Sequence, residues 1–375
     1  MPPRCPFDLS DIIHGDCLDV MDTMQDDCID SSATDPPYHH PGGFMSQAWD
    51  RGSIAFQPNT WRKLHRVLKP GAHAVVFGSS RTFHRLWCAL EDAGFELRDT
   101  LLWIHGEGLP KSRNLDGDWQ GWGSSLKPAY EPIALVRKPL QGTLQANAEQ
   151  HGTGALHVDA CRVAFSSPAD EAEAKGKNRH GDFDSGLRHN QVFGQDIPRG
   201  QYGNYDPTGR WPTNILLDGS PEVTELFPHP HPAGTQREAW IPDNPTSHAM
   251  YGKAPPNYRQ GRRVGDAGSA ARFFPHLPYT EPDTRFLYCP KASTRERQGS
   301  QHKTIKPLKL MRWLVRLITP PGGTVFDPFA GTGTTGQAAL EQGFGAFLVE
   351  QDPRYIADIH RRLAPFLHSS TLTAI

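Results

Sequence analysis

Three features of the sequence predict an α/β fold with a mostly parallel central sheet, helices on both faces and a loop-rich insertion. Strand-like and helical runs alternate over residues 8–139 and again over 301–366. Near the C-terminus a strand feeds a Gly-rich turn that opens a helix. Between these zones, residues 140–300 intersperse Gly, Pro, His and Asn with few periodic runs.

Each element rests on a local signal. Residues 11–14 read as a short strand and 18–24 as helical. Residues 28–34 read as a buried strand that enters Asp35-Pro36-Pro37-Tyr38. Apolar residues recur at helical spacing over 61–68, a run that Lys69-Pro70-Gly71 should break. Residues 74–77 form the next strand, 83–93 a helix closed by Gly94, and 101–104 and 133–136 further strands. In the insertion, 214–217 is the clearest periodic run; the rest reads as loops, which at this length are functional or conditionally ordered. Beyond it, 308–318 predicts a helix closed by Thr319-Pro320-Pro321-Gly322-Gly323. A strand over 324–327, a helix over 334–342, a strand over 344–350 and a helix over 353–366 complete the series.

Composition narrows the function classes. The chain has 375 residues, long enough for one large or two moderate domains. With 39 Lys and Arg against 41 Asp and Glu it is not a uniformly basic nucleic-acid binder. The average hides two opposite clusters. Residues 1–35 carry nine Asp against Arg4 alone, and 285–316 carry nine bases against Glu296 alone. The N-terminus lacks the apolar stretch of a signal peptide, and apolar runs are strand-sized, far below the roughly 18 residues that span a bilayer. Six scattered Cys without a C-x-x-C pair fit a reducing, cytoplasmic setting, and neither a disulfide scaffold nor a zinc site. His229-Pro230-His231 is better read as a turn than as a metal ligand pair.

Two motifs carry chemistry. Asp327-Pro328-Phe329-Ala330-Gly331-Thr332-Gly333-Thr334-Thr335-Gly336 matches G-x-G-x-x-G, with Glu350 at the end of the next strand to take ribose hydroxyls. No Gly-Lys-Ser/Thr follows, so it is not a phosphate-binding P-loop. A nicotinamide enzyme needs more βαβ units than the roughly 39 residues after Gly336 can build. In Asp35-Pro36-Pro37-Tyr38, two prolines fix the backbone and leave carbonyls to accept hydrogen bonds. Asp35 adds a further acceptor and Tyr38 a flat face, a combination suited to an exocyclic amino group on a stacked base.

With these two motifs the chain resembles the S-adenosylmethionine-dependent DNA amino-methyltransferases, which act on adenine N6 or cytosine N4. Gln301-His302-Lys303-Thr304-Ile305-Lys306-Pro307 extends the likeness. The tetrapeptide precedes the cofactor loop, the permuted β-type order. The resemblance implies a Rossmann-like methyltransferase fold: a catalytic part at 8–139, a target-recognition region at 140–300 and a cofactor-binding part at 301–366. It implies that Asp35, Pro36, Pro37 and Tyr38 hold the target base. Phe329, Gly331, Thr332 and Gly333 would line the cofactor, Asp327 would contact its amino group and Glu350 its ribose. Asp16 would contact its adenine, while His302, Thr304 and Lys306 close the pocket, although Lys306 also reads as one of the nine clustered bases.

The implied reaction is direct methyl transfer to an amino group aimed by Asp35 and the Pro36 carbonyl. None of the six Cys follows a Pro, which speaks against cytosine C5 chemistry. An Asp at the first motif position favours adenine N6 over cytosine N4, the alternative. An RNA or protein amide methyltransferase is a further alternative that motif order disfavours. The implied partner is double-stranded DNA, with a restriction endonuclease and a second copy of the chain as candidate companions. Bases expected on phosphates include Arg262, Arg263, Arg272, Arg295, Arg297 and Lys303, with Trp211, Tyr202, Tyr205, Tyr251 and Tyr258 available to stack.

Overall fold

The computed structural model describes residues 11–39, 48–105, 112–177, 187–190, 195–198, 208–218, 221–227, 269–276, 299–300, 302 and 304–367. Its strands are β1 (Ile12–His14), β2 (Ile29–Thr34), β3 (Leu68–Phe77), β4 (Glu96–Ile104), β5 (Tyr130–Arg137), β6 (Leu187–Asn190), β7 (Gln195–Pro198), β8 (Ile215–Leu217), β9 (Thr324–Asp327) and β10 (Gly345–Glu350). The helices are α1 (Cys17–Thr23), α2 (Pro58–Val67), α3 (Phe83–Asp92), α4 (Leu144–His151), α5 (Pro168–Lys177), α6 (Pro221–Thr224), α7 (Leu308–Ile318), α8 (Thr334–Leu340) and α9 (Pro353–Leu367).

Eight strands form one sheet in the order β1-β10-β9-β2-β3-β5-β4-β8, while β6 and β7 pair as a separate antiparallel hairpin. The expected mostly parallel sheet is present: only β3–β5 and β5–β4 are antiparallel. Their exception follows from connectivity. The crossover β3-α3-β4 leaves one strand's width between β3 and β4, and β5 returns through it by a loop rather than a helix. The central strands are buried along nearly their whole length, so none carries an alternating pattern of buried and exposed residues. One face packs Met21, Ile29, Trp61, Leu64 and Leu90. The other packs Trp103 and Leu216 with α7, whose Leu310, Leu314 and Val315 are completely buried.

Two local expectations are corrected. The Lys69-Pro70-Gly71 segment does not separate helix from strand; α2 already stops at Val67 and the segment lies inside β3. There the β2–β3 register shifts between Ile29 and Ser31, and Gly71 adopts φ 77°, so the breaker is absorbed as a bulge. The chain after Gln141 is not irregular either. Thr143 caps α4 by accepting from Ala146 N at 3.2 Å. Buried Asn147 then donates to the carbonyls of Pro70 (3.0 Å) and Thr153 (2.8 Å), tying α4 to the bulge.

The chain divides into two units. The sheet unit comprises 1–161, 212–224 and 274–375; the second comprises 162–211 and 225–273. Within the second unit, Val163 bridges Arg210, and buried Asp170 accepts from Arg210 Nη1 at 2.6 Å and Arg272 Nε at 3.0 Å. Among the described residues no helix is long and apolar enough to cross a membrane.

Candidate active site

The two motifs end neighbouring strands. From β2 the chain runs to β3 on one side, and from β9 to β10 on the other, so the strand order reverses between β2 and β9. Ligands of open α/β sheets bind at such a reversal, beyond the carboxyl ends of the strands. Thr34 Oγ1 donates to Asp327 Oδ1 at 2.7 Å across it. Asp327 Oδ1 also accepts from Phe329 N (3.1 Å) and Oδ2 from Thr335 Oγ1 (2.6 Å). Burial pushes this carboxyl up to about 6. Expected at a cofactor amino group, Asp327 lies inside the protein and joins both loops to the start of α8.

The Gly-rich turn is built by close backbone approach. Gly331 takes φ 53° and its N–H donates to Glu350 Oε2 at 2.8 Å, while Asp352 N donates to Oε1 at 2.8 Å. Burial raises the Glu350 pKa, opposed by these two donors. A Cβ on Gly336 would meet Leu348 Cδ1 at 2.6 Å, so only glycine lets α8 lie this close to β10. Gly333 caps α8. Thr332 is buried, and its carbonyl accepts from Arg362 Nε at 2.9 Å. The His302 ring meets Tyr355 at 4.4 Å, and its Nδ1 accepts from Thr304 N at 3.2 Å. Phe329 tilts against Trp61. Exposed Asp16 caps α1 through Leu18 N (2.7 Å), and the preceding Gly15 N bonds the Glu350 carbonyl at 3.0 Å. Thus β1, β9 and β10 gather Asp16, Phe329, Gly331 and Glu350 at one end of the sheet.

At the end of β2, Tyr38 Oη donates to Asp35 Oδ1 at 2.7 Å. Burial and the nearby Asp35 charge raise the Tyr38 phenol well above its ordinary value, so it remains a donor. Lys306, expected to close the cofactor pocket or to be one of the clustered bases, is not a surface base: it is only 6% exposed and its ammonium bonds Asp35 Oδ2. It also donates to Tyr38 Oη at 3.3 Å, lies 3.6 Å from Glu131 Oε2, and sits over the rings of Phe77 and Tyr38. Pro307, in extended conformation before α7, directs the preceding residue inward. Buried Asp50 accepts from Tyr38 N at 2.7 Å. Beside the tetrapeptide, Pro36, Pro37, Tyr38, Phe77, Thr82 and Phe83 pack into a mostly apolar wall.

Asp50 and Glu131 went unnoticed in the sequence because neither belongs to a motif. A carboxylate next to Pro132 at a strand start was the only signal for Glu131. Arg272, expected at phosphates, is engaged on Asp170, and two bases of the 285–316 cluster are engaged within the fold, Arg312 on Glu341 and Arg316 on Gln342. Each sits beside a side chain of opposite or complementary polarity, which linear charge counting ignores. Arg262, Arg263, Arg295, Arg297, Lys303 and the four tyrosines lie outside the described residues. Trp211 is well exposed under the Arg162 guanidinium. Burial pushes the Cys17 and Cys161 thiols up to about 12, which leaves both protonated and poor nucleophiles.

The profile of the N6/N4 DNA methylases, a family described as DNA methylase, matches residues 29–361. The chain belongs to the N6/N4 DNA methylase family. It is 32% identical to the type II methyltransferase M.HindIII of Haemophilus influenzae over 112 residues, 26% of this chain and 35% of that protein. It is 24% identical to the type II beta methyltransferase M.BslI of Bacillus sp. over 208 residues, 50% of this chain and 22% of that protein. These matches therefore span about a third or less of the relatives' length. The cytosine-N4-specific PvuII DNA methyltransferase is a similar solved structure, with 14% identity, a TM-score of 0.48 and coverage of 94% of this chain and 86% of that one. As an N6/N4 DNA methylase, the chain carries its tetrapeptide and its Gly-rich turn on adjacent strands of one sheet.

Proposed function

We propose that this N6/N4 DNA methylase moves a methyl group from S-adenosylmethionine to the exocyclic amino group of a base flipped from double-stranded DNA, the base being adenine and the atom N6. The observation that carries the reading is the meeting of Asp35-Pro36-Pro37-Tyr38 and the Gly-rich turn across β2 and β9. The residues fit the cofactor. Glu350 is a carboxylate whose oxygens accept from the backbone N–H groups of Gly331 and Asp352, leaving lone pairs for ribose hydroxyls. A Cβ on Gly331 would point at the His302 ring 3.5 Å away, so the glycine keeps that wall shallow. Asp16, Phe329, Gly331, Gly333, His302 and Glu350 would hold it, and when bound it supplies the methyl group on a sulfonium.

The chain's own residues do the rest. Tyr38 Oη and Lys306 hold the Asp35 carboxylate by one oxygen each, and its remaining lone pairs accept from the amino group of the base. The Pro36 carbonyl, on a backbone stiffened by Pro37, accepts the second amino proton. The apolar wall of Pro36, Pro37, Phe77 and Phe83 would keep water from the base, so the rate comes from positioning and desolvation. Target recognition we assign to the 140–300 insertion, DNA being the macromolecular partner and a restriction endonuclease the companion.

Asp35→Ala should abolish transfer and spare cofactor binding. The test is calorimetry with S-adenosylmethionine plus a radiolabelled methyl assay; persisting transfer would remove Asp35 from this role. Modification-sensitive sequencing of DNA from a host expressing the protein reads base and site together. N4-methylcytosine in place of N6-methyladenine would establish the other member of the pair.

A further inference from the structure

Between β4 and β5, residues 112–124 form a small hairpin. Leu115 N donates to the Trp122 carbonyl at 3.0 Å, and Asn114 bridges Gly123. Ser112 and Ser124 close its base, each hydroxyl accepting a backbone N–H from across it. A 3-10 turn, Gly117–Trp119, forms the tip. Trp119 and Trp122 meet edge to face at 5.6 Å and are 57% and 63% exposed; Leu115, Leu126 and Tyr130 are exposed as well. Aromatic surface held in an ordered hairpin and left in water marks an interaction site rather than packing.

Its position identifies the partner. The hairpin leads directly into β5, whose second residue, Glu131, lies 3.6 Å from Lys306 Nζ, the ammonium that bonds Asp35. The aromatic pair therefore rises from the end of the sheet that carries the tetrapeptide. Asp116 and Asp118 at the tip repel phosphates, which turns the contact toward bases, while Arg113 and Lys127 flank it. We propose that Trp119 and Trp122 stack on the bases beside the flipped nucleotide and fill the gap it leaves in the duplex. This rests on the reading above that the enzyme flips a base from duplex DNA. Every base presents a π-face, so the contact supports flipping at any sequence and leaves readout to other residues.

The experiment uses the full-length enzyme and a 30-bp duplex carrying the site mapped by sequencing, in two forms. In one the target base is paired; in the other it lies opposite an abasic position and needs little energy to leave the stack. For W119A/W122A we expect kcat/KM to fall at least about tenfold on the paired duplex and less than about threefold on the abasic one. Cofactor affinity by calorimetry and the unfolding midpoint should match wild type, and W119F/W122F should recover most of the paired-duplex rate. A paired-duplex rate within twofold of wild type overturns the proposal. So does an equal loss on both duplexes, and so does conversion of a dimer to a monomer in light scattering, which would make the hairpin a contact between copies. Should the wild-type enzyme bind the cofactor yet methylate no DNA in the mapping experiment, the proposed function fails before the hairpin is tested.

Discussion

Lys306 shows how much one side chain contributes to this site. A buried ammonium is costly unless paired, and here two carboxylates, a phenol and two ring faces surround it. Charge-assisted hydrogen bonds of this kind are worth about 1.5–3 kcal/mol. Lys306→Met should therefore lower kcat about 10- to 100-fold by freeing Asp35 and Tyr38, with the KM for cofactor changed less than about threefold. Steady-state kinetics separate the two constants, and a change confined to KM would return Lys306 to the cofactor side. Lys306→Arg should not rescue, because a planar guanidinium does not fit the slot between Phe77 and Tyr38. Asp35-Pro36-Pro37-Tyr38 was legible because its chemistry lies in four consecutive residues. The Lys306 partnership was not, since 271 residues separate it from Asp35.

Strands and helices were legible wherever burial leaves a periodic or continuous apolar trace, as in β10, α7 and α9. They were illegible where one polar contact decides. Asn147 anchors α4 through two carbonyls, and a sequence pattern of apolar residues has nothing to register there. The junction of β9 and α8 depends on Asp327 in the same way, and its ionisation gives a pH test. Burial raises its native pKa to about 6 from 3.8, so the unfolded chain ionises first. The native state is penalised as pH rises through that interval, by up to about 3 kcal/mol above pH 6, and the penalty vanishes below about pH 4. Asp327→Asn cannot ionise. The stability of the variant relative to wild type should thus improve by about 2 kcal/mol between pH 4.5 and 7.5 in urea unfolding. A difference independent of pH would mean that the three donors to Asp327 cancel its burial.

At the scale of the molecule, folding pairs part of the acidic N-terminal stretch with bases from later in the chain. Asp22, Asp26, Asp27 and Asp30 of the acidic N-terminal stretch pair with Lys63, Arg66, Lys138 and Lys69. Most of these pairs are partly exposed and stabilise by about 0–1 kcal/mol each, so their effect is to cancel a field rather than to secure the fold. In the second unit the pair network is buried. The Arg210 guanidinium, helped by the Ser166 donors, holds the Asp170 carboxyl well below the usual range; Arg272 pairs with the same carboxylate, and both guanidinia stack over Phe273. Asp170→Ala strands two guanidinia and should cost this unit about 3 kcal/mol, seen as faster hydrogen exchange over residues 162–177 and 208–211. A depressed carboxyl stabilises above the unfolded pKa of 3.8 and loses that only as pH falls below it, so the wild-type unit should be equally protected at pH 5 and pH 8. Unchanged exchange in the variant would show that the aromatic stacking alone suffices.

Local sequence was sufficient for the α/β class, the order of the two motifs and the chemistry of the tetrapeptide, because each depends on neighbours within a few residues. Folding was required to bring Thr34 onto Asp327, Lys306 onto Asp35 and the N-terminal acids onto their bases, and to leave Trp119 and Trp122 in solvent. Those relations join segments up to 293 residues apart. They are set by which strands lie side by side, and strand order is a property of the packed sheet that no local pattern encodes.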